Sequence, residues 1–310
     1  MEALDRLGSP SHGAIDMIVV QQNNGRDFFS NQLILQIGQF KSLTNLEPVT
    51  IIINGKVVHT EVPLEIDQSG RATFNRDPRY VYRLRSREWR KVHLHPGLNQ
   101  GEYQINGLEP IYFNVFMYCQ SDRLVFTDID GTITTSDIRG HGAGALGYTD
   151  NHPEVAELFH AITRNGYKIV YMTARPIAMV SYTKDYLRNS GLPEGPFLCS
   201  DKGVATAFLT EMSGKIGSDR LPELKKTIIQ SVTRNFDKEE HDLTAVTREV
   251  VYGAYGNRKT DDRAYAEAGI RPECIWIIDK HSVLTCKDGT PFQDGYGEKL
   301  GKLRKYYPRY

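Results

Sequence analysis

The residues most able to do chemistry follow an apolar run. Leu124-Val125-Phe126-Thr127 leads into two carboxylates two positions apart, Asp128 and Asp130, then Gly131 and Thr132. Residues two apart on a strand share a face, so both carboxylates can reach one centre. The carboxyl end of a strand is also where open α/β sheets bind ligands. Gly131 lets the backbone turn tightly over a ligand, and Thr132 can donate hydrogen bonds. Two carboxylates this close repel unless a cation or a proton lies between them. Mg²⁺ is the natural partner, because it takes oxygen ligands and keeps waters or phosphate oxygens in its shell.

The elements that must position this pair divide the chain in two. The first third reads as short strands: Ile15–Val20, Leu33–Ile37, Thr50–Ile53 and Lys56–His59, then stretches near Arg71–Phe74, Tyr80–Leu84, Lys91–Leu94, Gly101–Ile105 and Ile111–Tyr118. Asn54-Gly55 supplies the positive φ angles of a type I′ hairpin turn. Short strands separated by turns predict a β-sandwich, here immunoglobulin-like, over residues 10–120. After about residue 120 strands alternate with helices. Leu124–Thr127, Tyr167–Met172, Val250–Ala254 and Cys274–Ile278 read as strands; Pro153–Asn165, Pro176–Arg188, Pro222–Val232 and Thr260–Ala268 read as helices. Residues 121–310 are thus expected to form an α/β domain with a doubly wound parallel sheet.

Composition narrows the function classes. Hydrophobic residues make up 40% and charged residues 25%, too apolar for a disordered chain. Lys plus Arg and Asp plus Glu each number 38, so the chain has no protein-wide basic field, and nucleic acid is not expected as a partner. The four cysteines form no CxxC pair. They read as buried fillers in a reducing compartment, without a cysteine zinc site. No apolar run approaches the 18 residues of a membrane span, and the first residues lack a signal peptide's apolar core.

The hhhhDxDGT pattern resembles the first motif of the haloacid dehalogenase superfamily of phosphohydrolases. The later motifs have counterparts in order: Thr173 ending the Tyr167–Met172 strand and followed by Ala174-Arg175, a lysine in Pro222-Glu223-Leu224-Lys225-Lys226, and Gly256-Asn257-Arg258-Lys259-Thr260-Asp261 with Asn in the first acidic position. The resemblance implies that Asp128 attacks phosphorus to form an aspartyl-phosphate, and that Asp130 protonates the leaving oxygen and later takes a proton from water. Thr173 and a lysine would bind the phosphate oxygens. Lys226 is taken as that lysine, with Lys225 left open beside it. Mg²⁺ would be held by Asp128, the main-chain carbonyl of Asp130, Asn257 and Asp261, with Asp262 in reserve. Without a cation, two negative groups at about 4 Å would repel by about 4 kcal/mol at an effective dielectric near 20.

Gly131 and Tyr167 are 36 positions apart, and the Pro153–Asn165 helix takes part of that span. The remainder, rich in Gly140, Gly142, Gly144 and Gly147, is flap-sized; a capless site open to a large substrate is expected, a protein, a polynucleotide or a lipid headgroup. Within the superfamily the sequence is most similar to the lipin family of Mg²⁺-dependent phosphatidate phosphatases. The residues that carry this are Asp128-Ile129-Asp130-Gly131-Thr132-Ile133-Thr134 with Ser136-Asp137, Asn165-Gly166-Tyr167-Lys168, Thr173-Ala174-Arg175, Pro222-Glu223 with Lys226, Tyr255-Gly256-Asn257-Arg258 with Asp261, and upstream Gly13–Val20 and Ile53-Asn54-Gly55. The likeness implies hydrolysis of phosphatidic acid to diacylglycerol at an anionic phospholipid membrane. It implies a cytoplasmic protein peripherally associated with membranes, the endoplasmic reticulum among them. It also implies that the N-terminal region completes the sandwich.

The family's LxxIL-type motif has no counterpart at Arg139–Ala143, and only Ala3, Leu4 and Leu7 stand where an amphipathic helix would begin. Two basic-aromatic stretches, Arg83, Arg85, Arg87, Arg90 and Lys91 with Tyr80, Tyr82 and Trp89, and Lys302 to Tyr310, read either as leaflet-docking surfaces or as a solvated strand edge and a frayed tail. His141 in the flap reads as a headgroup contact or as incidental. Two other functions compete: a capless phosphatase of a phosphoprotein or soluble phosphoester, and a catalytically dead lipid-binding module.

Overall fold

The computed structural model describes residues 12–36, 49–58, 65–66, 71–73, 83–105, 108–135, 150–175, 177–199, 220–237, 239 and 241–310. Residues 136–149 of the flap expected at Ile133–His152, with His141, the stub at 3–7, and Tyr80 and Tyr82 lie outside these residues.

A seven-stranded sheet forms the C-terminal part. Its strands are β11 (Leu124–Asp128), β12 (Lys168–Thr173), β13 (Phe197–Cys199), β14 (Val251–Gly256), β15 (Ile275–Ile278), β16 (Leu284–Cys286) and β17 (Pro291–Phe292), in the order β13-β12-β11-β14-β15-β16-β17. The first five pair in parallel and the last two add antiparallel. All five residues of β11 are buried, which is why its apolar run does not alternate: strands covered on both faces read as continuous apolar segments. From β11 the chain winds outward through β12 to β13, then returns to the other side of β11 at β14. The strand order therefore reverses between β11 and β14, and the crevice beyond their carboxyl ends is where such sheets hold ligands.

The helices follow the apolar periodicity. They include Val155–Arg164, Val180–Asn189, Arg220–Thr233, Leu243–Val250 and Lys259–Ala268. In the first of these Val155, Leu158, Phe159 and Ile162 turn inward, one face of a 3.6-residue repeat. The last ends at Gly269, in the left-handed region at φ 103°.

The N-terminal strands are β1 (Gly13–Ala14), β2 (Met17–Gln21), β3 (Phe28–Ser30), β4 (Leu35–Gln36), β5 (Val49–Ile53), β6 (Lys56–Val58), β7 (Glu65–Ile66) and β8 (Arg71–Thr73); β9 (Gly97–Ile105) and β10 (Ile111–Cys119) complete them. They form a sheet β1-β4-β8-β7 and a sheet β3-β2-β10-β9-β5-β6. The β5–β6 hairpin turns at Asn54 and Gly55, both at positive φ, as its Asn-Gly pair requires. Strand β2 pairs in parallel with β10. Its side chains alternate between two cores: Met17 and Val19 join the cluster between the two N-terminal sheets, while Ile18 and Val20 join the core of the seven-stranded sheet. Asp16, fully buried, ties the two parts together. Its carboxylate accepts from the backbone N–H groups of Asn114 (2.7 Å) and Phe197 (2.9 Å) and pairs with Lys184.

Three expectations are corrected. The strand expected at Lys91–Leu94 is instead the end of a helix, Ser86–Val92. Trp89 and Val92, three apart, bury one face, the Glu88 carboxylate accepts from the Arg85 N–H (2.6 Å), and His93 stops the helix in the left-handed region. The basic residues of that stretch therefore project from a helix and the loop before it, not from a strand edge.

The C-terminal stretch is no frayed tail. Tyr307 is fully buried and its hydroxyl meets that of Tyr255 (2.8 Å). The Tyr310 hydroxyl accepts from the Arg123 N–H and donates to the Gly166 carbonyl, just ahead of β11 and β12. The tail thus lies at the opposite end of the sheet from Asp128. Lastly, Cys199, Cys274 and Cys286 are buried but Cys119 is exposed. Among the described residues no helix is long and apolar enough to cross a membrane.

Candidate active site

Strand β11 delivers Asp128 at its last position, and the chain then coils back on itself. The Ile129 carbonyl accepts from the N–H groups of Thr132 and Ile133, and the Thr134 hydroxyl accepts from Gly131 N–H (2.9 Å). Gly131 has φ +75°, and a Cβ there would collide with the Asn257 amide. Glycine is required on both counts, and its absence of side chain seats Asn257 against the loop. Tyr296 donates to the Thr132 carbonyl (2.8 Å) from behind.

Neighbouring strands bring the other groups. Thr173 ends β12, whose Met172 lies opposite Asp128 in the ladder. Its hydroxyl accepts from the Arg175 N–H (3.0 Å) and points toward the Asp130 carboxylate (3.4 Å). Arg175 grips both oxygens of Asp130, with Nη2 at 2.6 Å and Nε at 3.0–3.1 Å, and is itself held by the Thr183 hydroxyl (3.1 Å). A planar two-point guanidinium contact of this kind fixes orientation as well as charge. Arg175 was not among the residues expected in the site. The signal was present: an arginine two positions after the hydroxyl residue, on the strand beside a carboxylate pair.

Of the two candidate lysines, Lys225 enters the site. Its Nζ lies 3.1 Å from Asp128 and also bonds Asp261. Lys226 points to Glu223 at 3.4 Å and is 28% exposed. Adjacent helix positions diverge by about 100°, so only one of the pair can face the crevice; the expectation of Lys226 gives way to Lys225.

Asp261, expected among the metal ligands, has both carboxylate oxygens engaged by donors of the chain. One carboxylate oxygen takes Lys225, and the other accepts from the N–H groups of Asn257 (3.0 Å) and Arg258 (3.1 Å). It anchors the loop that carries Asn257. Gly256 must be glycine here, since a Cβ would strike the Asp261 side chain. Asp262 pairs with Lys287 (2.6 Å) and takes no part.

The electrostatics favour a cation. Burial, with Asp261 and Asp130 close by, outweighs the attraction of Lys225 and pushes the Asp128 carboxyl up to about 6. Burial lowers the basicity of Lys225, but its two carboxylate partners more than reverse that. The Asn257 Oδ1 is buried and has no hydrogen-bond partner. An orphaned acceptor beside a costly carboxylate suits a hard oxygen-seeking ion such as Mg²⁺. Among the described residues no three His, Cys, Asp or Glu side chains gather as a metal cluster; the donors here would be a carboxylate, an amide and a main-chain carbonyl. A cleft of about 240 Å³ opens beside them, lined by Gly131, Thr135, Asn257, Arg258, Ile278 and Lys280. This set can bind a phosphate, present a nucleophilic carboxylate to it and hold a second carboxylate ready for proton transfer.

Two family models match the chain. The one described as LNS2 (Lipin/Ned1/Smp2) covers residues 80–308, and the lipin N-terminal conserved region covers residues 8–88. Among curated relatives, the nuclear elongation and deformation protein 1 of Schizosaccharomyces pombe is 34% identical over 211 residues, 65% of this chain and 30% of its own length. The mouse phosphatidate phosphatase LPIN2 is 33% identical over 201 residues, 62% of this chain and 21% of its own. The phosphatidic acid phosphohydrolase 1 of Saccharomyces cerevisiae is 32% identical over 214 residues, 66% of this chain and 24% of its own. The matched segments span less than a third of these relatives.

Proposed function

The chain belongs to the lipin family, and from that premise we propose that it is a Mg²⁺-dependent phosphatidate phosphatase. It would release diacylglycerol and phosphate through an aspartyl-phosphate at a membrane surface. The observation that carries the reading is the convergence of Asp128, Asp130, Thr173 and Lys225 at the point where the strand order reverses. Relatives named phosphatidate phosphatase support the substrate.

The Asp128 carboxylate attacks phosphorus and the bond to the diacylglycerol oxygen breaks. Asp130, oriented by Arg175, protonates that oxygen as it leaves. Water deprotonated by Asp130 then attacks the aspartyl-phosphate and returns Asp128. Thr173 and Lys225 bind the phosphate oxygens where negative charge accumulates. Asp128, the Asp130 carbonyl and Asn257 would hold Mg²⁺, which offsets the repulsion between nucleophile and phosphate. Asp261 positions Lys225 and the Asn257 loop.

The cleft of about 240 Å³ suits a phosphate headgroup rather than acyl chains. The chains would stay in a bilayer lying across the carboxyl ends of the strands, with Arg258 and Lys280 at the rim toward its anionic surface. The haloacid-dehalogenase-like winding, the immunoglobulin-like sandwich over residues 10–120, the catalytic domain over 121–310, the capless mouth and a peripheral place at cytoplasmic membranes are parts of the same proposal. Phosphate release from vesicles containing phosphatidic acid, set against release from a soluble phosphopeptide, tests it. Faster turnover on vesicles, abolished by chelation and restored by Mg²⁺, is the expected result; a preference for the phosphopeptide overturns the lipid reading.

A further inference from the structure

A second concentration of cationic side chains surrounds a cavity away from the cleft. Arg83, Arg85 and Arg87 line it with Phe28, Phe29 and Asn235, and its volume is about 450 Å³. Its wall is fixed: the Ser86 hydroxyl accepts from Phe28 N–H (2.9 Å) and donates to the Phe28 carbonyl (3.1 Å), locking β3 to the loop that carries the arginines.

Two of the charges here are costly. Arg83 is substantially buried, and Arg234, beside Asn235 at the end of the Arg220–Thr233 helix, acts on it electrostatically; burial first and Arg234 second lower the Arg83 pKa to about 10. Among the described residues neither arginine has an acidic partner. The Arg234 Nε is buried and lacks a hydrogen-bond partner. Part-buried like charges with an unsatisfied guanidinium N–H are unfavourable unless an anion completes them.

We propose that this cavity is a binding site for a phosphate group carried on a small soluble molecule, with Arg83 as its principal ligand and Arg234, close to Arg83 but outside the lining, adding to the positive field. The phosphate could reach it on a soluble ester or on a lipid headgroup, and the fold favours the former. The Arg220–Thr233 helix carries Lys225 in its second turn and Asn235 just beyond its end. Ten positions separate Lys225 from Asn235, about 15 Å along a helix axis, so the cavity lies toward the far end of that helix from the cleft. On the membrane orientation proposed above, on which this step rests, a bilayer across the carboxyl ends of the strands lies at the other end of the helix from this cavity. The apolar walls at Phe28 and Phe29 leave room for an organic portion beyond the phosphate.

The test is calorimetric titration of the full chain, in chelator, with inorganic phosphate and with glycerol 3-phosphate. Wild type and Lys225→Ala should each show a site that tightens as salt is lowered. Arg83→Gln should weaken it at least tenfold and Arg234→Gln at least threefold. Because each substitution relieves repulsion, the unliganded variants should melt no lower than wild type, which separates lost binding from lost folding. Glycerol 3-phosphate should bind at least as tightly as phosphate. Binding that survives Arg83→Gln, or that disappears in Lys225→Ala, places the anion in the cleft and overturns the proposal. Arg83→Gln weakening attachment to phosphatidic acid vesicles while leaving both soluble ligands unaffected makes the site a lipid contact and overturns it equally.

Discussion

Replacing Asp128 by asparagine removes a charge that the metal-free fold holds at a cost. Burial is the main reason that its carboxyl titrates at about 6 rather than near 3.8. An acid whose pKa is raised by folding binds protons more readily folded than unfolded between those values. Stability therefore falls as pH rises from about 4 to about 6, and the deficit is complete above that window. A shift of about 2 units at about 1.4 kcal/mol each makes the deficit about 3 kcal/mol. Asp128→Asn should recover up to that amount at pH 7.5 in chelator. Unfolding entropy of about 2.1 cal/mol/K per residue, taken over the chain, converts this to a rise in melting temperature of about 4–5 °C. Thermal melts of both proteins at pH 7.5 and pH 4 measure it, with phosphate release followed in parallel. The variant should be inactive and more stable at pH 7.5, with the gap closing near pH 4. Mg²⁺ should raise the melting temperature of the wild type more than that of the variant. If the variant melts at or below wild type at pH 7.5 in chelator, the electrostatic account of the site is wrong.

Three further outcomes are expected. Lys225→Ala should lower phosphate release from vesicles by about 10²-fold or more, the scale of losing one transition-state donor, whereas Lys226→Ala, whose side chain pairs with the exposed Glu223, should stay within about threefold. Asp16→Ala should destabilise the chain by about 3–5 kcal/mol in urea titrations, since it strands the Lys184 ammonium and two backbone N–H groups. Lys299 is fully buried against Trp276 and Tyr306, and burial pushes its pKa down to about 6. The unfolded chain then binds more protons between about pH 6 and 10.5, so wild-type stability should rise with pH across that range. Lys299→Met should flatten the rise in urea titrations at pH 6.5, 8 and 9.5.

The parts of the site carried by one strand end were legible from sequence, because covalent neighbours fix their own geometry. Asp128, Asp130, Gly131 and Thr173 fall where an apolar strand must end. What depends on a helix's rotation was not: Lys225 and Lys226 differ only in which way packing turns the Arg220–Thr233 helix. Arg175 stands in the motif, but its role depends on a contact with Asp130, 45 positions away, that strand-end geometry alone does not fix. The Ser86–Val92 helix was hidden by the β-like composition of Trp89 and Val92, although Glu88 stands at the capping position. The β16–β17 pair was missed despite Asp288-Gly289, a turn signal between two short apolar stretches. The tyrosines near the C-terminus read from their basic neighbours, but ring contacts of Tyr307 and Tyr310 with Tyr167, of Tyr306 with Trp276 and Phe292, and the Tyr255–Tyr307 hydrogen bond decide their place.

The parallel pairing of β2 with β10 has a consequence for biosynthesis. Met17 sits opposite Val115, so a strand with four consecutive buried residues leaves the ribosome about a hundred residues ahead of the partner that covers its edge. At about 5–20 residues per second that is a wait of about 5–20 s. During that interval Met17 to Val20 offer neighbouring nascent chains an unpaired, sticky edge. Yield in cells should then depend on a holding chaperone, and slowing translation between codons 21 and 111 should increase aggregation without altering the mature protein at all.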